Sequence, residues 1–419
     1  MRIKRCKGSR DLLPEEMSRF RHIERTFRDC CLGWGYQEVK TPTLEYLHLF
    51  TAAGTLTPGM LGRVYSFLDW DGWSGQRVVL RPDGTIPVAR LYIDNMTEQG
   101  VAKLCYVTNI FRFEETGKES RESWQGGAEL IGVSSPLADV ELMTLALDVL
   151  KRVGIKDVEL RLSHAGLIRD LLQKLGLNPQ EQARVFDQIL DGDTEALARI
   201  ESAKPDLGRM MISLLDLKGK SADFLSNLKS TLNHSIPELE AHLDNFARIV
   251  ALLEATEHNY QIDLTSGRGF EYYTGVIFQI FIGEEKIGGG GRYDALVPLL
   301  GGGDIPASGF ALYLDHLMRL VTPAAITKPE ERNILLRVEP EVIGQGFAAA
   351  NLLRGAGYVV CTQLTDREPA TSRWVLEVRR KAPSFVLIDQ TKRKDVALPN
   401  VTEVLAALGG GNADQGSVT

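Results

Sequence analysis

Residues 109–132 read NIFRFEETGKESRESWQGGAELIG, and the fold turns on how this stretch divides. Ala102 to Phe113 has the β-branched and aromatic content of a strand, and a polar loop then leads to Gln125 and Glu129, four residues apart. Arg112 sits within the apolar strand. An arginine projecting from a buried strand needs an anionic partner, because an unpaired buried charge is very costly. That partner is either a ligand carboxylate or phosphate, or Glu114 or Glu129 in an ion pair within the chain.

On the N-terminal side, Met17, Phe20, Ile23, Phe27 and Leu32 recur at helical spacing from Pro14, and Gly33 and Gly35 end the element. Strands are expected at Tyr36 to Val39, Val64 to Leu68 and Gln76 to Leu80. On the C-terminal side, Asp139 to Val153 reads as helix and Asp157 to Ser163 as strand. A Leu-, Ala-, Lys- and Glu-rich stretch from about 165 to 257 reads as a helical insertion. Strands resume at Tyr260 to Leu264 and Tyr273 to Ile282, followed by a helix from Gly309 to Val321.

TPAAITKPEER has the composition of a linker, after which NILLRV, GYVVC and PSFVLID alternate with helical stretches, as in a small α/β domain. The expected organisation is a core over 1–325, a C-terminal domain over 331–408 and a disordered tail over 409–419. At 419 residues the chain exceeds what one core usually supports, which agrees with two or three domains.

Composition excludes several classes. A hydrophobic share of 44% and a charged share of 25% suit an ordinary globular protein. No apolar run is long enough to span a bilayer, and MRIKRCKGSRDLLPEE lacks a signal-peptide core, so a cytoplasmic protein with no membrane contact is expected. The five cysteines show no CxxC spacing, so neither a metal site nor a disulfide framework is expected. The net charge of −7 opposes phosphate contacts, and the C-terminal domain carries only a slight positive excess, so no strong RNA-binding face is expected.

Three further segments carry candidate chemistry. In LRPDGTIPVAR, Asp83 and Thr85 offer a carboxylate and a hydroxyl to a cationic amine, or simply form a polar turn set by Pro82. In LTSGRGFEYYTGVIFQIF, glycines flanking Arg268 allow close backbone approach to a ligand. Tyr272 and Tyr273 there supply an aromatic wall and hydroxyls for a ring such as imidazole, or are ordinary core tyrosines. GGGGRYDALVPLLGG lacks both GK[ST] and GxGxxG, so the common nucleotide loops are absent and tight packing of a glycine-rich strand accounts for it.

Taken in order, GSRDLLP, RPDGT, FRFEE with Gln125 and Glu129, GRGFEYYTG and GGGGRYD resemble the motifs of histidyl-tRNA synthetases and their paralogues over Gly8 to about Val321. The resemblance implies an α+β fold of the class II aminoacyl-tRNA-synthetase type: an antiparallel sheet flanked by helices, usually a homodimer through this core. It also implies a histidine pocket. There Asp83, Thr85, Gln125 and Glu129 hold the amino group and imidazole, Arg268 faces the carboxylate, Tyr273 packs on the ring beside Tyr272, and Arg112 lines the edge.

Within that family the departures separate true synthetases from the regulatory subunits of ATP phosphoribosyltransferase. Synthetases resemble GFAxGxERL near the end of the core, where the arginine holds the ATP triphosphate. This chain reads GFALYLDHLMRL, with His316 at that position and Tyr313 replacing the small glycine. A mostly neutral imidazole cannot reproduce a guanidinium fork on phosphate. Glu115 and Thr116 stand where synthetases continue with Arg-Pro, and Asp83 replaces the usual glutamate, a form like that of the regulatory subunits. Arg319 lies three residues beyond His316, almost a turn away, and is not expected to substitute.

The resemblance therefore implies a non-catalytic regulatory subunit with no cofactor and no tRNA partner. Its expected partner is a short-form ATP phosphoribosyltransferase, and its expected effector is histidine. An active histidine-tRNA ligase is the alternative, with Lys392, Arg393 and Lys394 as its local basic patch, and a free-standing histidine-binding protein is a third class.

Overall fold

The first helix, Pro14–Gly33, starts where proline's missing N–H costs nothing; Glu16 caps it by accepting from the Leu13 amide at 3.1 Å. Phe20, Ile23, Phe27, Cys30 and Cys31 form its buried stripe. The computed structural model describes residues 3–54, 62–69, 75–113, 120–174, 176–191, 218–232, 239–256, 258–267, 272–321, 332–365 and 372–409. The chain divides into two compact units, Met1–Ala325 and Ile326–Thr419.

The strands of the first unit are β1 (Gln37–Glu38), β2 (Leu44–Tyr46), β3 (Ser66–Asp69), β4 (Gln76–Leu80), β5 (Ala102–Phe111), β6 (Glu122–Ile131), β7 (Glu159–His164), β8 (Lys218–Gly219), β9 (Tyr260–Asp263), β10 (Val276–Ile282), β11 (Glu285–Arg292) and β12 (Ala307–Tyr313). Nine of them form one sheet in the order β1-β5-β6-β12-β11-β10-β7-β9-β8, while β2, β4 and β3 form a small second sheet. The interior of the large sheet is antiparallel, with parallel pairs only at β1–β5 and β7–β9. Helix Pro136–Val153 is capped by the Ser135 hydroxyl, ends on left-handed Gly154 and buries a long apolar stripe, Leu142 to Leu150 included.

One sequence expectation is corrected, and one stretch that the sequence left unassigned takes a structure. Residues 122–131 form a full strand, although Gly126, Gly127 and Glu129 lower their β-propensity. The glycines are there for packing: a Cβ on Gly126 would crowd Phe27 and Leu314, and one on Gly127 would strike the Tyr106 ring. The helix expected from Gly309 begins only at Leu314, because residues 307–313 form β12 between β6 and β11. A helix there would leave two rows of buried backbone groups unpaired.

Over 165–257 the described elements are helices Ala165–Lys174, Pro179–Leu190, Ala222–Leu232 and Glu240–Glu254, with β8 the short strand among them. The second unit is a five-stranded sheet with two parallel and two antiparallel pairings, covered by helices Ile343–Gly355 and Val401–Gly409 around Ile334, Leu336, Leu353, Leu376 and Val404. The segment 410–419 and most of the expected linker lie outside the described residues. Among the described residues no helix is long and apolar enough to cross a membrane, and no group of His, Cys, Asp or Glu is arranged to hold a metal ion.

Candidate functional site

Successive side chains of a strand point to opposite faces, so Gln125, Gly127 and Glu129 share one face of β6. The neighbours are matched to them. Tyr106 of β5 lies opposite Gly127, and Gly309 of β12 lies opposite Glu129. A Cβ on Gly309 would meet Glu129 Oε2 and the Tyr293 hydroxyl. Large polar groups thus fill space left by two glycines.

Glu129 is 1% exposed, and no cation touches it among the described residues. The Tyr106 hydroxyl donates to Oε1 at 3.1 Å, and the Tyr293 hydroxyl donates to Oε2. Thr85 Oγ1 lies 3.3 Å from the Tyr106 hydroxyl. Burial raises the Glu129 carboxyl to about 8, Asp83 adds to the rise, and hydrogen bonds from Tyr293, Thr85 and Tyr106 oppose it. At neutral pH this carboxyl keeps its proton and can both donate and accept.

Asp83 stands at the start of helix Thr85–Asn95, where its Oδ1 accepts from the Ile86 amide at 3.0 Å. Burial raises its pKa as well, against the Ile86 amide and Arg112. Tyr272 meets Tyr273 edge-on with ring centroids 5.1 Å apart and lies 5.4 Å from the Tyr293 ring. Gln125 Oε1 and the Tyr272 hydroxyl are buried without a hydrogen-bond partner among the described residues. Buried polar atoms are rarely left so. Both atoms have hydrogen-bonding capacity left over.

The structure therefore brings together Asp83, Thr85, Gln125, Glu129, Tyr272 and Tyr273. Arg268 lies outside the described residues, as do Glu114, Glu115 and Thr116. Arg112 is exposed, and its Nε donates to the Pro82 carbonyl at 3.0 Å. The ion pair with Glu129 that the sequence left open is not formed; the tyrosines hold that carboxylate instead. Tyr106 and Tyr293 are the site residues that sequence reasoning missed. Tyr293 stood inside GGGGRYD, whose glycines form β11, but nothing in the local pattern showed which carboxylate it would meet.

The other motif arginines are structural. Arg81 is buried and donates to the carbonyls of Thr41, Pro42 and Asn109, and Arg90 pairs with Glu45 and Asp94. Arg292 grips Asp139 at 2.7 Å, 8% and 2% of the two side chains being exposed. Burial still raises the Asp139 carboxyl to about 6, although Arg292 opposes it.

The helix Leu314–Leu320 carries the departures noted above. His316 Nδ1 lies 2.8 Å from Glu285 Oε1, and Arg319 donates to the same oxygen. Glu285, at the start of β11, thus pairs with Arg319 and meets the His316 ring; its pKa is lowered chiefly by Arg319. Tyr313 is near enough to raise the pKa of the Tyr273 hydroxyl after burial has done so, and its ring lies 5.7 Å from that of His316. It stands between the tyrosine wall and the cationic helix.

A mainly antiparallel sheet, with this pocket on its central strands and a helix after β12, defines a class II synthetase-like module. A sequence model of the family described as histidyl-tRNA synthetase matches residues 8–317, and the chain belongs to this family. It is 52% identical over 408 residues to an ATP phosphoribosyltransferase regulatory subunit of Dehalococcoides mccartyi, covering 97% of this chain and 99% of that protein. It is 34% identical to a histidine–tRNA ligase of Methanosarcina acetivorans, covering 84% of this chain and 83% of the ligase. Among solved structures, a regulatory subunit/histidyl-tRNA synthetase from Bacillus halodurans superposes with a TM-score of 0.75 at 24% identity, covering 87% of this chain and 93% of that one. Histidyl-tRNA synthetase from Nostoc superposes with a TM-score of 0.77 at 19% identity, covering 98% and 100%. At these identities the superpositions establish the fold alone.

Proposed function

We propose that this chain is the regulatory subunit of a short-form ATP phosphoribosyltransferase, required for that enzyme's activity and for its inhibition by histidine at the first step of histidine biosynthesis. One observation supports the reading: the polar side chains of the expected amino-acid site lie together, while Arg319 and the His316 ring already share Glu285. A triphosphate clamp needs cations free to meet phosphate.

In this reading Asp83, Thr85, Gln125 and Glu129 hold the histidine amino group and imidazole. The protonated Glu129 carboxyl complements a ring nitrogen, and Gln125 Oε1 and the Tyr272 hydroxyl gain the partners they lack. Tyr273 packs on the ring, Arg268 faces the carboxylate, and Arg112 lines the edge. Neither tRNA nor a cofactor takes part, and two copies pair through the core. Regulation requires that histidine bind one assembly state more tightly than another.

The test is co-purification with a short-form catalytic subunit, followed by phosphoribosyl transfer measured with and without histidine. The expected result is a stable complex that histidine inhibits. Failure to associate overturns the proposal, as does histidine-dependent ATP–pyrophosphate exchange at rates typical of a synthetase.

A further inference from the structure

The Tyr273 wall is held from behind by a residue the pocket itself does not use. Arg169, in helix Ala165–Lys174, donates through Nη2 to the Tyr273 carbonyl at 2.7 Å, its only hydrogen bond among the described residues. Burial lowers its pKa, and Asp170 only partly opposes this. A partly buried guanidinium spent on one main-chain carbonyl is a poor stability device, because Asp170 offsets its desolvation only in part. It is a good way to fix one peptide group. Two residues on, the Ala165 amide donates to Gly275 at 2.8 Å, so the same chain segment clips both ends of Tyr273–Gly275.

The opposite side of that helix faces the last helix of the insertion. Asp170 lies 3.4 Å from His242 Nε2, on Glu240–Glu254. The His242 ring sits over Gly166, where a Cβ would come within 2.5 Å of it, and its centroid is 5.1 Å from the His164 ring. His164 ends β7, is 1% exposed and pairs in register with Val276. Its Nδ1 has no hydrogen-bond partner among the described residues, so the ring is fixed mainly by packing against His242 and Phe246 and by Asn245. Adjacent residues of one short helix therefore grip the pocket wall and the insertion respectively.

We propose that Arg169 is a positioning residue for the amino-acid pocket: it fixes the Tyr273 main chain, and through the Asp170–His242 contact it makes that wall answer to the placement of the helical insertion. The inference rests on reading the pocket as a histidine site. Coupling of this kind needs a continuous packed connection between the two regions, and helix Ala165–Lys174 supplies one.

The test is titration calorimetry of the full chain with L-histidine. If the wild-type chain does not bind histidine, the functional reading fails first, and the inference falls with it. If it binds, Arg169→Met is expected to weaken affinity roughly tenfold, the scale of one charge-assisted hydrogen bond, and Arg169→Lys to recover part of the loss. His242→Gln, which touches nothing in the pocket, is expected to weaken binding severalfold in the wild-type background and to add nothing once Arg169 is methionine. Unchanged affinity in Arg169→Met overturns the proposal, as does full additivity of the two substitutions. Should Arg169→Met not fold, His242→Gln alone decides, unchanged affinity being the adverse result.

Discussion

The pocket on β6 and the helix that follows β12 treat charge in opposite ways. The pocket gathers Asp83 and Glu129 with no cation against Glu129 among the described residues, and its acids are held by tyrosine hydroxyls and a helix amide. The helix carries His316 and Arg319, and both side chains meet the one Glu285 carboxylate. The first region keeps two buried polar atoms without partners among the described residues, while the second has its side chains paired. On the reading proposed above, the amino-acid site is kept and the phosphate-binding cation is not.

The comparison breaks most readily at Glu129. Glu129→Ala strands two tyrosine hydroxyls and removes the imidazole's partner, so histidine affinity should fall by at least about a hundredfold. Inhibition should be lost in parallel, while partner activity without histidine survives; calorimetry showing unchanged affinity would contradict the assignment. Gly309→Ala forces a methyl against Glu129 and Tyr293 and should cost about 1–3 kcal/mol of stability, measured by denaturant unfolding.

A pH titration sharpens the contrast further. The folded chain holds the Glu129 proton to about 8, whereas an unfolded chain releases it in the ordinary glutamate range near 4.5. Between those values the folded state binds more protons, so this residue's contribution to stability is full at low pH and is lost as pH rises through about 8. Melting temperatures of Glu129→Gln should therefore decline less between pH 5 and 8 than those of the wild type; parallel curves would refute the protonated carboxyl.

The smallest effect belongs to the helix. Its pairs are partly exposed, with side-chain exposures of 32% for His316, 39% for Glu285 and 58% for Arg319, so Glu285→Gln should change stability by no more than about 1 kcal/mol. Exchange of pyrophosphate should stay absent, because His316 cannot form a guanidinium fork. Appearance of exchange in Glu285→Gln would show that neutralisation alone silences the site.

Much of this was legible in the chain itself. The 3.6-residue stripe of Pro14–Gly33 and the apolar runs of β5 and β10 are strong local signals, and the ordered motifs pointed to one pocket. β6 and β12 were not legible, since their glycines and mixed polarity answer to the side chains packed on them. Tyr106 and Tyr293 escaped for the same reason: a hydroxyl's partner across strands has no local periodicity.

By itself the sequence determined which groups were present, the acids Asp83 and Glu129, the tyrosines and His316, and only the family resemblance marked His316 as a departure from an arginine. Their chemistry follows from composition at each position, whatever the fold. Only the tertiary structure decided how those groups are partnered. Tyr106 and Tyr293 hold Glu129, Glu285 takes His316 and Arg319, and Arg112 donates to the Pro82 carbonyl. Partnership depends on strand register and on residues 23 to 164 positions apart meeting in space. A linear pattern does not carry that information.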